Sequence, residues 1–130
     1  MYAFDALTGE EEWTFTADSG VEITPTWADG LLYFGSLNGT LYGLDATTGA
    51  SIWQSEVQVS PNSTPVVVDA VLYVGSEDNA LLALDAKTGA EIWRFATDTP
   101  VPRSPSVVGN TIVTGNETGL LLAIDATTHE

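Results

Sequence analysis

The chain has 130 residues with 44% hydrophobic content, and its 18 Asp and Glu against 3 Lys and Arg give a formal net charge of −15 at pH 7. Such a surface repels phosphate groups, which excludes nucleic acid and anionic lipid headgroups as electrostatic partners. Cysteine is absent, which excludes disulfides, zinc–thiolate sites and cysteine nucleophiles, and no apolar run is long enough to span a bilayer.

The excess of carboxylates has two interpretations. The favoured one is a halophilic source, because concentrated salt screens the repulsion among surface charges and keeps such a protein soluble. The alternative is an ordinary acidic secreted protein. The run Glu10, Glu11 and Glu12 is interpreted as a solvated surface and not as a cation site.

A repeat of forty residues runs through the whole chain. Asp5, Asp45, Asp85 and Asp125 occupy one column of this repeat, and a Trp stands at the same place in each of the first three copies. A fixed period near this length, with strand-like segments between turn signals, is typical of propeller blades. The sequence therefore predicts an all-β chain that forms a partial, open β-propeller of four-stranded antiparallel blades, with about three repeats.

Each repeat contains short stretches rich in β-branched and aromatic residues, bounded by turn signals. In chain order they predict strands at residues 2–6, 13–17, 24–28, 31–36, 40–45, 52–57, 64–68, 71–76, 80–85, 92–96, 105–108, 111–115 and 120–125. No helix is predicted, because apolar residues alternate with period two. The chain is interpreted as one array over residues 1–130, with partial blades at 1–17 and 105–125 and whole blades at 24–57 and 64–96.

Turn residues and glycines punctuate the predicted strands. Asp29 with Gly30, and Asp69 with Ala70, are predicted to form tight connections between the first and second strands of two blades. Glycine also recurs inside the second strand, where a missing side chain usually marks the close approach of another backbone. This pattern predicts blades that stack tightly face to face, and its residues are Gly35, Gly75 and Gly115.

The turn after the third strand of each blade carries a recurring Asp, Thr and Gly. The Asp carboxylate can accept hydrogen bonds from the N–H groups of the turn, Thr can assist, and Gly supplies the left-handed conformation that closes it. These Asp residues are interpreted as structural and not as catalytic bases or metal ligands, because active sites break symmetry. His129, the only histidine, has no orienting partner, so no catalytic, cofactor-binding or metal-binding residue is predicted.

The pattern of a small residue, Asp two positions on, Thr and Gly at the turn, and Trp four residues after the Gly resembles the tryptophan-docking motif of the pyrroloquinoline-quinone-like (PQQ-like) β-propeller repeat family. In that family the Trp of one blade stacks between the small first residue of its own motif and the turn of an adjacent motif. The resemblance implies a structural docking motif made of Ala3, Asp5, Thr8, Gly9, Trp13, Gly43, Asp45, Thr48, Gly49, Trp53, Ala83, Asp85, Thr88, Gly89 and Trp93. In the fourth copy His129 replaces the Gly and no Trp follows, so this copy is expected not to dock.

Two classes of function follow from the resemblance. The favoured one is a non-catalytic segment of a larger propeller that acts as a scaffold or protein-binding module and holds no cofactor. The alternative is part of a PQQ-dependent alcohol or sugar dehydrogenase, which would add the quinone, a calcium ion and a catalytic Asp. The absence of cysteine excludes the disulfide between neighbouring cysteines that several of these dehydrogenases pack on the quinone.

The resemblance implies as partners further propeller blades, other copies of the chain or a different protein. It suggests an extracytoplasmic or cell-surface location, although the N-terminal residues lack the basic and apolar regions of a signal peptide. Trp27, the one Trp outside the motif, is predicted to pack between blades as a first-strand side chain. The alternative for Trp27 is a ligand-contacting surface, such as one that binds carbohydrate.

Overall fold

The computed structural model describes residues 1–130 and contains thirteen β-strands in four antiparallel sheets. Sheet 1 consists of β1 (Tyr2–Phe4) and β2 (Glu11–Thr14). Sheet 2 consists of β3 (Thr26–Ala28), β4 (Leu31–Gly35), β5 (Thr40–Asp45) and β6 (Ser51–Glu56). The structure has no helix that is long and apolar enough to cross a membrane. The predicted all-β class is confirmed.

The second half of the chain repeats this arrangement. Sheet 3 consists of β7 (Val66–Val68), β8 (Val71–Ser76), β9 (Ala80–Asp85) and β10 (Glu91–Ala96). Sheet 4 consists of β11 (Ser106–Val108), β12 (Thr111–Gly115) and β13 (Leu121–Asp125). Within each sheet the strands pair in sequence order, so sheet 1 is a hairpin and the other three sheets are meanders.

The predicted strands are all present, and their ends differ for identifiable reasons. Strands β3, β7 and β11 begin directly after Pro25, Pro65 and Pro105, because proline has no N–H to donate to the sheet ladder. Strand β2 begins at Glu11 and ends at Thr14, whereas the prediction placed it at 13–17. Its pairing with the short β1 runs from Phe4↔Glu11 to Tyr2↔Thr14, so β1 sets its length.

Apolar side chains fill the space between successive sheets. The largest cluster has 10 buried residues, among them Tyr33 and Leu41 of sheet 2 and Leu72 and Leu82 of sheet 3. Clusters of 5 and 3 buried residues join sheet 3 to sheet 4 and sheet 1 to sheet 2. The sheets are therefore stacked by hydrophobic packing between their faces.

Strand alternation gives each inner sheet two different faces. In β5, Leu41 packs in the cluster shared with sheet 3, whereas Tyr42 and Leu44 pack in the cluster shared with sheet 1. The equivalent residues of β9 repeat this, with Leu81 toward sheet 4 and Leu82 toward sheet 2. We call the side of a sheet that is turned to the preceding sheet its rear face and the other side its front face.

The segments that connect successive sheets pack against two of the glycines in the second strands, Gly35 and Gly75. Val59, fully buried between sheets 2 and 3, lies where a side chain on Gly35 would project, and the backbone of Val101 lies in the same way against Gly75. Val101 N–H also donates to the Ser76 carbonyl at 3.1 Å. The predicted close approach is present at Gly35 and Gly75 but not at Gly115, where the nearest atom to a Cβ would lie at 3.7 Å. At the first two glycines the neighbour is a connecting segment and not the face of another blade, because the chain must pass this point to reach the next sheet.

The turn between β7 and β8 places an alanine in the left-handed region. Asp69 and Ala70 have φ values of 50° and 63°, and the equivalent Asp29 and Gly30 have values of 49° and 84°. Only glycine adopts this conformation without steric cost. We expect Ala70→Gly to raise the free energy of unfolding by about 0.5 kcal/mol, because the relief of strain exceeds the added freedom of the unfolded chain. Urea denaturation followed by far-UV circular dichroism measures this.

The control is the reverse change at the equivalent turn. No atom lies within 4 Å of the position of a Cβ on Gly30, so Gly30→Ala tests backbone strain alone and should lower the free energy of unfolding by about 1 kcal/mol. A loss of stability in Ala70→Gly would contradict the strain assigned to Ala70.

Candidate functional site

The recurring Asp closes the turn that follows the third strand of each blade. In the second copy, Oδ1 of Asp45 accepts hydrogen bonds from the N–H of Thr47 at 2.9 Å, the N–H of Thr48 at 2.8 Å and the Thr48 hydroxyl at 3.0 Å. Gly49, with φ of 71°, donates its N–H to the Asp45 carbonyl at 2.9 Å. The carboxylate therefore satisfies backbone donors that the tight turn would otherwise leave unpaired.

The same turn is formed four times. Asp5, Asp85 and Asp125 each accept two backbone N–H groups at distances between 2.7 and 2.9 Å. These bonds favour the ionised form, so the pKa of all four carboxyl groups lies below the ordinary value for Asp. The main cause is the Thr three residues after the Asp, through its hydroxyl at Asp85 and through its backbone N–H at the other three.

Acidification is expected to remove the stability that these carboxylates contribute. The folded pKa of Asp85 is lowered, so its contribution is fully present above the unfolded pKa of about 3.9 and disappears as the pH falls through the folded pKa. The measurement is urea unfolding in molar salt at neutral pH and at acidic pH, for the wild type and for Asp85→Asn. We expect the wild type to be the more stable protein at neutral pH and the difference to shrink on acidification.

The quantity to follow is the difference in free energy of unfolding between the wild type and Asp85→Asn. Protonation also relieves the repulsion within a chain of net charge −15, and this effect is nearly the same in both proteins. A difference that stays constant across the acidic range would show that the ionised Asp85 carboxylate adds no stability to its turn.

Trp53 joins sheet 2 to the turn of the third repeat. Its indole N–H donates to the Ala86 carbonyl at 3.0 Å, and only 8% of the residue is exposed. The ring lies between Gly43 and Gly89, and a Cβ on either glycine would come within 2.9 Å of ring carbons. Gly43 is the residue that pairs with Trp53 across β5 and β6. With the ring in this position, a side chain on either glycine would overlap it.

Trp13 makes the equivalent contact between sheet 1 and sheet 2. Its indole N–H donates to the Ala46 carbonyl at 3.2 Å, and its ring covers Gly49. Ala3 pairs with Trp13 across β1 and β2, as Ala83 pairs with Trp93 across β9 and β10. Trp13 is only half-buried.

The third Trp meets a different residue. The ring of Trp93 stacks on the ring of His129, with 4.6 Å between centroids and an angle of 30° between planes. His129 has a φ of 62° and donates its N–H to the Asp125 carbonyl, so it adopts the conformation of the glycine it replaces. The fourth copy is expected not to dock, and the structure shows a contact of a different kind, in which the imidazole ring occupies the space above the glycine position and stacks on the indole. The indole hydrogen bond of the other two copies is not formed here.

The contact between Trp93 and His129 could have been predicted from the spacing along the chain. Gly49 and Gly89 follow Trp13 and Trp53 by 36 residues, and His129 follows Trp93 by the same 36. A planar side chain at the contact position could therefore have been predicted to stack. Val59 and Val101, which cover two recurring glycines, gave no signal in the sequence.

Trp27 does not pack between blades as predicted, since 67% of the residue is exposed. Its equivalents Val67 and Val107 pack on the rear faces of sheets 3 and 4. Sheet 1, which covers the rear face of sheet 2, has two strands only, and these correspond to β5 and β6 in the forty-residue repeat. No strand of sheet 1 therefore lies opposite β3, where Trp27 is placed.

The remaining polar residues do not converge on a chemical site. The side chains of His, Asp and Glu form no group of three or more that could hold a metal ion. The one salt bridge joins Arg94 to Glu91 on the surface. The largest groove, of about 740 Å³, runs beside sheet 1, and Glu11 is its only acidic side chain among residues such as Tyr2 and Phe15.

Comparison with known proteins identifies the family. Residues 1–129 match the family model described as outer membrane protein assembly factor BamB. The chain belongs to the BamB family of PQQ-like repeats. BamB from Moraxella catarrhalis superimposes with a TM-score of 0.88 at 26% identity, over 99% of this chain and 44% of that chain. No curated protein matches the chain.

Two further solved structures resemble the BamB-like array. A quinohemoprotein alcohol dehydrogenase from Pseudomonas putida HK5 has a TM-score of 0.77 and 30% identity, over 89% of this chain and 20% of that chain. The computationally designed Ika4 protein has a TM-score of 0.79 over 95% of this chain and 78% of its own, and at 17% identity it shows the fold alone. The predicted PQQ-like family and the open β-propeller architecture are confirmed. The chain spans less than half the length of the M. catarrhalis BamB structure.

Proposed function

We propose that this chain is a non-catalytic PQQ-like propeller segment that acts as a scaffold or protein-binding module. The observation that carries the proposal is that the Asp carboxylates that recur in each repeat are hydrogen-bonded within their own turns. At Asp45, for example, Oδ1 accepts three hydrogen bonds. A carboxylate engaged in this way has a lowered pKa and is a poor general base. The acidic residues that repeat most regularly therefore support the fold and not a reaction.

We further propose that the Trp contacts lock neighbouring blades together. Trp53 combines nearly complete burial, a hydrogen bond to the next repeat and close packing on two glycines. A large planar ring with one polar atom can cover apolar surface and satisfy a backbone carbonyl at once. The residues Ala3, Gly43 and Ala83 then serve as platforms, and the Asp–Thr–Gly turns as acceptors.

The comparison also includes a dehydrogenase, and the alternative function is that of a quinone-dependent enzyme segment. We propose that the chain binds neither PQQ nor calcium. Side chains of the kind that hold a calcium ion, several carboxylates with amide or carbonyl oxygens around one point, are dispersed over separate turns here.

The test is a titration of the chain in molar salt with PQQ and Ca²⁺, followed by absorbance, together with an alcohol-oxidation assay with an artificial electron acceptor. A reconstituted quinoprotein dehydrogenase in the same buffer is the positive control. We expect no saturable binding and no turnover. Saturable binding with turnover by this chain would replace the scaffold proposal with the enzyme alternative.

The name of the family suggests where such a scaffold would act. BamB is described as an outer membrane protein assembly factor, so we propose an extracytoplasmic or membrane-associated location and a protein as the partner.

A further inference from the structure

Three asparagines of the chain stand in the sequence that accepts N-linked carbohydrate, in which Asn is followed two residues later by Ser or Thr and proline does not intervene. They are Asn38, Asn62 and Asn116, and each has Thr at the second position. Asn is also a common turn residue and Thr a common strand residue. The fold separates the two explanations by what it does with the Asn amide and the Thr hydroxyl.

At Asn116 the fold uses the amide. Its Oδ1 accepts hydrogen bonds from the Thr118 N–H at 3.1 Å, the Thr118 hydroxyl at 2.8 Å and the Leu120 N–H at 3.0 Å. A side chain that satisfies backbone donors in this way stabilises the turn between β12 and β13. Both Asn116 and Thr118 therefore have a structural role.

At Asn38 the fold uses the hydroxyl. Thr40 is 7% exposed, and its hydroxyl donates to Oδ2 of Asp18 at 2.8 Å, which ties β5 to the segment that follows β2. Asn38 lies in the tight turn that the Gly39 N–H closes on the Ser36 carbonyl at 3.0 Å, where Asn is common. The fold again accounts for both residues.

At Asn62 the fold uses neither group. Asn62 is exposed and its side chain makes no hydrogen bond within the chain, and the Thr64 hydroxyl has no partner and is not buried. Only the Thr64 N–H is engaged, as a donor to Ser104 Oγ at 2.9 Å. The backbone of Asn62 lies outside the left-handed region, so the turn that the Ser63 N–H closes on the Ser60 carbonyl does not require Asn.

The position of Asn62 lies inside the array. It belongs to the segment between β6 and β7, and the complete four-stranded sheets 2 and 3 lie on either side of that segment. Its exposure therefore does not follow from where the sequence begins or ends. The repeat places Glu22 and Pro102 at the equivalent positions, so the connecting segments do not depend on Asn.

We propose that Asn62 is an N-glycosylation site, with an oligosaccharide carried on a lipid phosphate or pyrophosphate as the donor. Nδ2 of Asn62 attacks the anomeric carbon of the first sugar, and the new C–N bond replaces the bond from that carbon to the phosphate oxygen. The lipid phosphate leaves with the bonding electrons, and Nδ2 loses one proton to a base of the transferring enzyme. The Thr64 hydroxyl is the group that the enzyme recognises.

The proposal rests on the extracytoplasmic location proposed above, because this modification belongs to exported proteins. Ser63, between the two recognised residues, is completely buried in the fold. The transfer must therefore precede folding, and the exposure of Asn62 lets the folded chain keep a bulky polar substituent in solvent.

The experiment is site-resolved mass spectrometry of the full chain, joined to a signal sequence and exported from a host that N-glycosylates its proteins. We expect carbohydrate on Asn62. Thr64→Ala keeps Asn62 but removes the recognised hydroxyl and should abolish the modification, whereas Thr64→Ser should retain it. Thr118→Ala is the matched control, because it changes a different acceptor sequence, and its Asn62 should be modified as in the wild type.

Urea unfolding separates a site for carbohydrate from a structural residue. Asn62→Gln should leave the midpoint of unfolding unchanged, because the Asn62 side chain has no partner in the fold. Asn116→Gln should lower the midpoint, because three hydrogen bonds to Oδ1 are disturbed. Equal losses in the two variants would assign Asn62 a structural role and overturn the proposal.

An exported wild-type chain without carbohydrate on Asn62, from a culture in which a host glycoprotein is modified, also overturns it. Because the added signal sequence imposes export, this result refutes the site and leaves the non-catalytic scaffold standing. Quinone turnover in the titration described above would refute the scaffold and leave the modification of Asn62 unaffected.

Discussion

Trp53→Ala is expected to lower the free energy of unfolding by about 4 kcal/mol, because it leaves a large cavity between two sheets. Only 8% of the residue is exposed, and its ring packs on Gly43 and Gly89. The substitution also leaves the Ala86 carbonyl without the indole donor that it accepts at 3.0 Å, which adds to the loss. Against a typical total stability of about 5–15 kcal/mol, this is a large fraction.

The control is Trp27→Ala, which removes the same side chain from an exposed site. Because 67% of Trp27 is exposed, the loss should be within about 1 kcal/mol. Urea unfolding in molar salt should be followed by far-UV circular dichroism, since both variants change the fluorescence. Equal losses in the two variants would show that Trp53 does not lock the blades.

Gly75→Ala is expected to lower the free energy of unfolding by about 3 kcal/mol, because a Cβ there would overlap the carbonyl oxygen of Val101. The obstacle is backbone and cannot move by rotating a side chain. Two hydrogen bonds hold the neighbouring segments in place, from Ser60 N–H to the Gly75 carbonyl at 2.9 Å and from Val101 N–H to the Ser76 carbonyl at 3.1 Å. Thermal and urea unfolding of the variant measure the loss.

Gly115→Ala is the matched control at the equivalent position of the next repeat. The nearest atom to a Cβ there is the Leu120 carbonyl oxygen at 3.7 Å, an ordinary van der Waals distance. This substitution should change the free energy of unfolding by less than about 1 kcal/mol, and the loss of freedom in the unfolded chain favours a slight gain. A similar loss at both positions would mean that the strand itself requires glycine and that the connecting segment is not the cause.

The secondary structure and the repeat could be predicted because their causes are local. The turn at Asp45 is closed by groups within four residues of it, and the prolines before β3, β7 and β11 act on the next residue. Strand ends were less predictable where length depends on a partner, as at β2, which pairs only as far as β1 reaches. The sequence predicted a tight turn at Ala70, but not that this residue would adopt a strained left-handed conformation.

The packing partner of each side chain could be predicted only where the repeat supplies a neighbour. Trp53 is buried because a complete sheet 3 follows it, and Trp27 is exposed because sheet 1 has no strand opposite β3. Both are tryptophans in strands, and nothing in their local sequence separates them. His129 likewise stacks on Trp93 only because the turn of sheet 4 brings it there.

The sequence by itself determined the forty-residue period, the antiparallel strands, the Asp-closed turns and the family. Hydrogen-bonding preferences over a few residues, repeated in register, are enough to specify these features. Only the tertiary structure decided which apolar side chains are buried between the sheets, and that Val59 and Val101 fill the space above two glycines. Burial depends on the whole set of neighbours around a side chain, and no short stretch of sequence specifies that set.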